Sequence, residues 1–542
     1  MAGGRERAVR WAGSLVILLA LSGCGGGGGG SGSAASTSSA GGISTSSSSA
    51  SNPAWTPGVY QAASKYQAEC ASPRTGDDPY THQPYPDVQG TVTDENNWLR
   101  SWTHDLYYWY AEVQDADPSL YATPDYFNLM KTTQTDASGA PKDRFHFSYP
   151  TSQWEAMEYG QSAGYGLAWS IVQATPPRQV EVAFTEPATP ASSSPANLVR
   201  GDEVLSVDGV DVVNATTAAS INTINAALFP STVGETHTFT VLDPGSSTQR
   251  TFTMQAGNIT DTPVLMVKTL PSASGLVGYI LYNDQVDVEA EQELVQAIDT
   301  LQSDGVTDLV LDLRYNGGGL LELASELSYM VSGPALTGGE TFYQQQFNDQ
   351  HPSTNPVTGS PITPELFLDT AQGLSVTSGQ PLPTLNLPRV FVLTGAGTCS
   401  ASEAIMNGLR GVGVQVYQFG SSTCGKPYGF YPQDNCGTTY FSIEFKGVNA
   451  AGFGDFGDGF SPANTTTSPG VTLPGCSVGD DFAHALGDPH EAVLSAALGY
   501  MANPGVCPVP SGQGSPALLS KQARSLRIRT HRPLRDLLIL PR

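Results

Sequence analysis

Val390-Phe391-Val392-Leu393-Thr394 leads into Gly395-Ala396-Gly397-Thr398-Cys399-Ser400-Ala401-Ser402-Glu403, after which Ala404, Ile405, Met406 and Leu409 carry an apolar helical pattern. A short apolar run bounded by glycines reads as a strand buried on both faces, and a strand that turns into a helix is the repeating unit of a parallel α/β sheet. Two further stretches have the same form. Asp308-Leu309-Val310-Leu311-Asp312-Leu313 passes through Arg314-Tyr315-Asn316-Gly317-Gly318-Gly319 to an apolar helix beginning near Leu320. Val414 to Phe419 passes into Gly420-Ser421-Ser422-Thr423-Cys424-Gly425-Lys426. The fold class is therefore α/β, and the three strand ends are where function collects in such sheets.

Each end carries a chemically distinct group. The glycine turn exposes backbone N–H groups that suit an anion, either a phosphate or the oxyanion of acyl transfer. A serine at the start of the next helix lies beside unpaired N–H groups and the positive end of the helix dipole. The structural alternative is that Ser400 or Ser402 is an N-cap, with Glu403 in the first turn. A serine nucleophile needs a base, and Lys426 qualifies only if deprotonated. At an ordinary pKa near 10.4 roughly one lysine in a few thousand is neutral at pH 7, so burial must lower that value by several units. The alternative for Lys426 is a solvated loop charge.

Upstream, Leu198-Val199-Arg200-Gly201-Asp202-Glu203-Val204-Leu205-Ser206-Val207-Asp208-Gly209 reads as a tight turn, an alternating strand and a second turn. It resembles the PDZ signature, and the resemblance spans residues 155–258. PDZ modules capture a peptide by β-augmentation and by holding its terminal carboxylate. The likeness makes Gly166 and Leu167, in Tyr165-Gly166-Leu167-Ala168, the ligand-loop candidates, with a helix near Thr216 to Leu228 as the other wall. Pro187 to Pro195 lengthens the preceding connection.

Taken in order, Asn-Gly-Gly-Gly, Ser-Ala-Ser-Glu and Gly-Lys, with a 26-residue step from Ser400 to Lys426 and a PDZ module upstream, resemble the carboxyl-terminal processing (tail-specific) serine proteases over about residues 95–505. The resemblance implies a Clp-protease/crotonase-like α/β core over residues 262–508 and a serine endopeptidase working through a Ser/Lys dyad. It implies that Ser400 is the nucleophile, Lys426 the general base, Ser402 structural, and the amides of Ala401 and Gly318 the oxyanion hole. No cofactor is implied. Many members carry a Gln four residues after the lysine, where this chain has Phe430; the nearest Gln is Gln433. Cys399, Cys424, Cys436 and a polar insert from about Gly338 to Leu387 also depart from the plainest members. His484 and His490 are the competing bases. The competing function is a catalytically inactive PDZ-containing binding or scaffold lipoprotein.

Residues 53–150 read as a helical N-terminal domain, because Trp98 to Val113 places its bulky side chains at helical spacing, as core more than as a binding groove. Ahead of it, Arg5, Arg7 and Arg10 precede an apolar run from Trp11 to Leu21 that is too short to span a bilayer core of about 30 Å. Leu21-Ser22-Gly23-Cys24 resembles the bacterial lipobox, which implies a signal peptide over residues 1–23 and lipidation of Cys24. Residues 24–52, almost only Gly, Ser, Ala and Thr, form a flexible tether. Residues 509–542 are a basic tail, with a net +6 over residues 521–542. The expected location is the cell envelope, lipid-anchored and facing the periplasm, with Gly25 favouring the outer membrane over the inner.

With 25 Lys+Arg against 50 Asp+Glu the chain carries a formal charge of −25, which excludes a phosphate-tracking surface and hence nucleic acid as a partner. The expected partners are protein or peptide substrates with accessible C-termini, and the membrane. Apart from Cys24, the cysteines are Cys70, Cys399, Cys424, Cys436, Cys476 and Cys507, an even set that an oxidising compartment can pair. Gly425, Pro427 and Gly429 let the chain turn back, which makes Cys424–Cys436 the one pairing singled out. No Cys-x-x-Cys occurs and the chain holds only 8 His, so no metal site is expected.

Overall fold

The strands flanking the three glycine-bearing turns lie side by side in one sheet. Its order is Val264–Ser272, Gly275–Tyr282, Asp308–Asp312, Arg389–Thr394, Gln415–Gly420 and Gly475–Ser477. The first pair is antiparallel and every later pair parallel. The computed structural model describes residues 55–158, 161–272, 275–466, 470–508 and 537–538. The expected signal peptide, Cys24, the tether and all of the basic tail except Leu537 and Leu538 lie outside the described residues.

The central strands are apolar throughout because both faces are covered. Successive side chains point to opposite faces of a strand. Leu309, Leu311, Val390 and Val392 enter the core under the helices Ala290–Asp304, Leu321–Ser332 and Ala401–Gly411. Val310, Phe391, Leu393 and Phe419 enter the opposite core, with Val493, Leu494 and Ala497 of the helix Ala492–Ala502. The polar insert after Gly338 forms the strand Thr341–Phe347, which pairs antiparallel with Phe445–Val448. Among the described residues no helix is long and apolar enough to cross a membrane.

Residues 167–255 form a second sheet in the order Gln249–Gln255, Thr236–Leu242, Glu203–Val207, Gln179–Thr185, Leu167–Gln173. The helix Ala218–Leu228 packs Ile221, Ile224, Ala227 and Leu228 into its core. Among the described residues Leu167–Gln173 pairs on one side only, leaving that sheet edge open. Ala183 and Phe184 join the core of the main sheet.

The N-terminal helix runs Val92–Leu106 rather than onward to Val113. A capping box starts it: Thr91 Oγ1 accepts from Asp94 N at 3.3 Å, and Asp94 Oδ2 accepts from Thr91 N at 3.0 Å. It stops because Tyr107 turns extended and Tyr108 N donates instead to Ile443 O at 2.7 Å. Trp98 and Trp102 are buried and share a cluster with Tyr440 of the later chain. The strand Phe147–Pro150 pairs antiparallel with Thr438–Phe441.

The disulfides correct the sequence expectation. Cys424 is bonded not to Cys436 but to Cys399, Cα–Cα 5.2 Å, while Cys436 is bonded to Cys70 and Cys476 to Cys507. Cys424 follows a strand whose parallel neighbour leads to Cys399, so sheet order sets its partner. Cys436 sits in the turn between Gln433–Asn435 and Thr438–Phe441, a hairpin on which the N-terminal segment docks.

Candidate active site

Ser400 stands at the N-cap of the helix Ala401–Gly411 with φ 58°. A non-glycine residue with positive φ costs on the order of 1–3 kcal/mol and persists where the surroundings enforce it. Here Thr398 Oγ1 donates to Leu313 O (2.7 Å) and accepts from Gly395 N (2.9 Å), fixing the turn ahead of it. Ser400 Oγ is buried, and Ser400 and Glu403 make the capping-box arrangement that starts the helix. The positive φ therefore marks a position that the surrounding turn holds against its backbone preference.

The lysine turn is joined to the serine turn by Glu403, whose role the sequence reading did not find. Its carboxylate accepts from Ser400 N (3.0 Å), Thr423 Oγ1 (2.5 Å), Gly425 N (2.9 Å) and Lys426 N (2.8 Å). Burial pushes the Glu403 carboxyl up from its ordinary value, and these donors oppose that shift. Cys424 N adds a bond to Thr398 O at 3.0 Å. Gly425, at φ +83°, is required by close approach: a Cβ there would lie 2.2 Å from Gly457 O.

Lys426 is fully buried, not a solvated loop charge. Its Nζ lies 4.1 Å from the ring centroid of Phe430 and 5.1 Å from that of Phe145. Phe430 thus sets an aromatic face four residues after the lysine. Phe145 arrives from the N-terminal region, where Arg144 Nη2 donates to Gly457 O (2.7 Å) and Gly425 O (3.3 Å).

Gly318 brings the glycine turn against the same helix. At φ +96°, a Cβ on it would lie 2.7 Å from Cys399 O, 2.8 Å from Ala401 N and 2.9 Å from Ser400 Cβ. Its own amide donates inward to Asn316 Oδ1 at 2.9 Å, whereas Ala401 is the first residue of the helix, where amides lack intrahelical partners. Ser402 Oγ donates to Asn316 Oδ1 (3.0 Å) and accepts from Gln285 Nε2 (2.9 Å), a structural network behind the turn. Arg314, just before that turn, pairs with Asp312 (2.7 Å), Asp480 (2.8 Å) and Glu491 (2.7 Å), and Arg200 of the second sheet reaches the same Asp480 at 2.6 Å. The sequence signal for this network was only the alternation Asp312-Leu313-Arg314.

His484 and His490 each pair with a nearby aspartate, Asp481 at 2.7 Å and Asp488 at 2.9 Å, and are 44% and 83% exposed. Cys399, Glu403 and Cys424 bring possible ligand atoms within 4.8 Å of one another, but the two sulfurs are bonded together.

In the second sheet Gly166 has φ +74°, and its carbonyl accepts from Glu186 N at 2.8 Å. Leu167 opens the edge strand, paired with Thr185. The facing helix begins at Ala218, close to the expected Thr216, and Trp169 Nε1 donates to Leu228 O at 2.9 Å.

Residues 276–429, which contain all three turns, match the family model described as Peptidase family S41. The carboxyl-terminal-processing protease of Picosynechococcus sp. is 28% identical over 222 residues, covering 41% of this chain and 50% of the relative. That of Synechocystis sp. is 28% identical over 251 residues, covering 46% of this chain and 50% of the relative. The chain spans about half the length of these curated relatives. A solved S41 protease of Bacteroides fragilis is similar in fold, with TM-score 0.54 and 19% identity over 77% of this chain and 98% of that one. The mixed sheet is an α/β core, and its residues 276–429 are the part that is similar to the S41 family model.

Proposed function

We propose that the chain is a serine endopeptidase in which Ser400 attacks the scissile carbonyl after Lys426 takes its proton. An acyl-enzyme forms on Ser400 Oγ, and water resolves it. The developing oxyanion is received by the amide of Ala401 and by that of Gly318, once the latter turns away from Asn316 Oδ1. The observation that carries this reading is the Glu403 carboxylate, which accepts the amides of both Ser400 and Lys426 and so fixes two elements far apart in sequence. Catalysis by positioned groups tolerates little displacement, and a clamp of this kind supplies that precision.

The substrates are proteins recognised through their C-terminal region, captured as an added strand along Leu167–Gln173, with Gly166 and Leu167 receiving the carboxylate. The open edge of that strand and the helix Ala218–Leu228 beside it support this part. The place of action is the cell envelope, with Cys24 as a lipid anchor facing the periplasm. Labelling with a fluorophosphonate tests the reading. Intact protein is expected to be labelled at Ser400, and Ser400→Ala not at all; no labelling of either would point to the binding-scaffold alternative, and equal labelling of both would place the reactive group elsewhere than Ser400.

A further inference from the structure

We propose that the Cys399–Cys424 disulfide is a thiol-reducible lock on the catalytic pair, so that the oxidised chain is competent and the reduced chain is silent. The proposal rests on the Ser400/Lys426 reading above. Cys399 immediately precedes Ser400, and Cys424 lies two residues before Lys426. The bond therefore staples the serine turn to the lysine turn at the point where their relative position matters most. Of the non-covalent ties at this seam, one is the backbone bond from Cys424 N to Thr398 O, and three run from Thr423, Gly425 and Lys426 to the buried Glu403 carboxylate, whose charged form burial disfavours. The other two disulfides lie away from the seam: Cys70–Cys436 holds the N-terminal segment to a hairpin turn, and Cys476–Cys507 holds an edge strand to the segment after the last helix.

The bond is also built to be attacked from one side. Cys424 is partly exposed, and Cys399 is fully buried at the head of the helix Ala401–Gly411. A dithiol reductant attacks Cys424 Sγ, the bond to Cys399 breaks, and Cys399 leaves as a thiolate that takes up a proton. The second thiol of the reductant then displaces Cys424. The reductant ends as its own disulfide, two electrons poorer, and Cys399 and Cys424 take up its two protons as thiols. Released, the Thr423–Lys426 turn is held only by hydrogen bonds under the aromatic cover of Tyr107 and Phe145. A chain still in a reducing compartment thus carries its peptidase switched off.

The test measures cleavage of an unfolded protein by the full chain before and after dithiothreitol. The comparison set is Cys399→Ser/Cys424→Ser, Cys476→Ser/Cys507→Ser and Lys426→Ala. Dithiothreitol is expected to lower kcat by about ten-fold or more, reversibly on adding oxidised glutathione, in line with the cost of small misplacements of catalytic groups. Cys399→Ser/Cys424→Ser reproduces the loss without further response to reductant, while Cys476→Ser/Cys507→Ser stays active and reducible. Wild-type kcat in Cys399→Ser/Cys424→Ser, with Lys426→Ala inactive, overturns the lock and leaves the dyad standing. Cleavage by Lys426→Ala overturns the base assignment and the lock with it. Should the double variant not fold, the intact chain decides: full activity after peptide mapping shows Cys399 and Cys424 reduced overturns the proposal, and reversible loss with an unchanged circular dichroism spectrum supports it.

Discussion

Oε2 of Glu403 accepts the backbone amide of Lys426 at 2.8 Å and, through the same oxygen, the amide of Ser400 at 3.0 Å. One atom thus sets the spacing between a helix N-terminus and the loop after the neighbouring strand. Glu403→Gln keeps the size of the side chain but loses one acceptor oxygen among donors. The expected result is a fall in kcat of about 100-fold with KM little changed, because the loss is of alignment and not of substrate contacts. Steady-state kinetics on a protein substrate check it; a rise in KM alone would contradict the clamp.

Gly318→Ala adds a methyl group where Cys399 O, Ala401 N and Ser400 Cβ lie within 2.9 Å, at a backbone φ of +96°. Either the glycine turn or the helix start must shift. The account predicts a stability loss of about 1–3 kcal/mol and a larger proportional loss of kcat. Denaturant unfolding beside kinetics separates the two effects.

Glu326 gives the core a pH dependence of its own. Burial, then the charge of and hydrogen bond to Glu291, push its carboxyl from 4.5 up to about 9. Glu291 meanwhile accepts the amides of Gln372, Ser375 and Val376 at 2.7 Å each, holding the insert to the helix layer. A carboxyl whose folded pKa is raised contributes stability that is whole below the unfolded value and is withdrawn as pH rises toward the folded one. The melting temperature should therefore decline between about pH 4.5 and 9, and Glu326→Gln should flatten that decline. A decline of equal slope in Glu326→Gln would reject the assignment.

Capture of a substrate's C-terminal carboxylate at Gly166 and Leu167 predicts a difference between two otherwise identical peptides. Amidating the terminus of an apolar-ended peptide substrate is expected to raise KM by about ten-fold, the loss of a charge-assisted hydrogen bond of roughly 1.4 kcal/mol. Equal KM values for acid and amide would remove the second sheet from substrate recognition.

The three strand-to-turn stretches were legible because each is a local pattern: Leu309 to Leu311 and Val390 to Leu393 announce strands covered on both faces, and glycines mark their ends. Ser400 and Lys426 were legible as residue types at those ends. Glu403 was visible only as a first-turn acid, since its partners Thr423, Gly425 and Lys426 come from another strand's exit. The Cys424–Cys436 expectation followed the local turn and failed because pairing follows sheet order, which sets Arg389–Thr394 beside Gln415–Gly420. The helix expected to reach Val113 ends at Leu106 for a similar reason, a contact from Ile443 that no local window contains.

The measurement that bears most directly on the central claim is degradation of an unfolded protein with an apolar C-terminus by the intact chain, by Ser400→Ala and by Lys426→Ala. The account predicts cleavage by the first and none by either variant. Cleavage that survives in Lys426→Ala while Ser400→Ala is inactive would contradict it, because the serine would then be activated by a base other than the lysine that Glu403 holds in place.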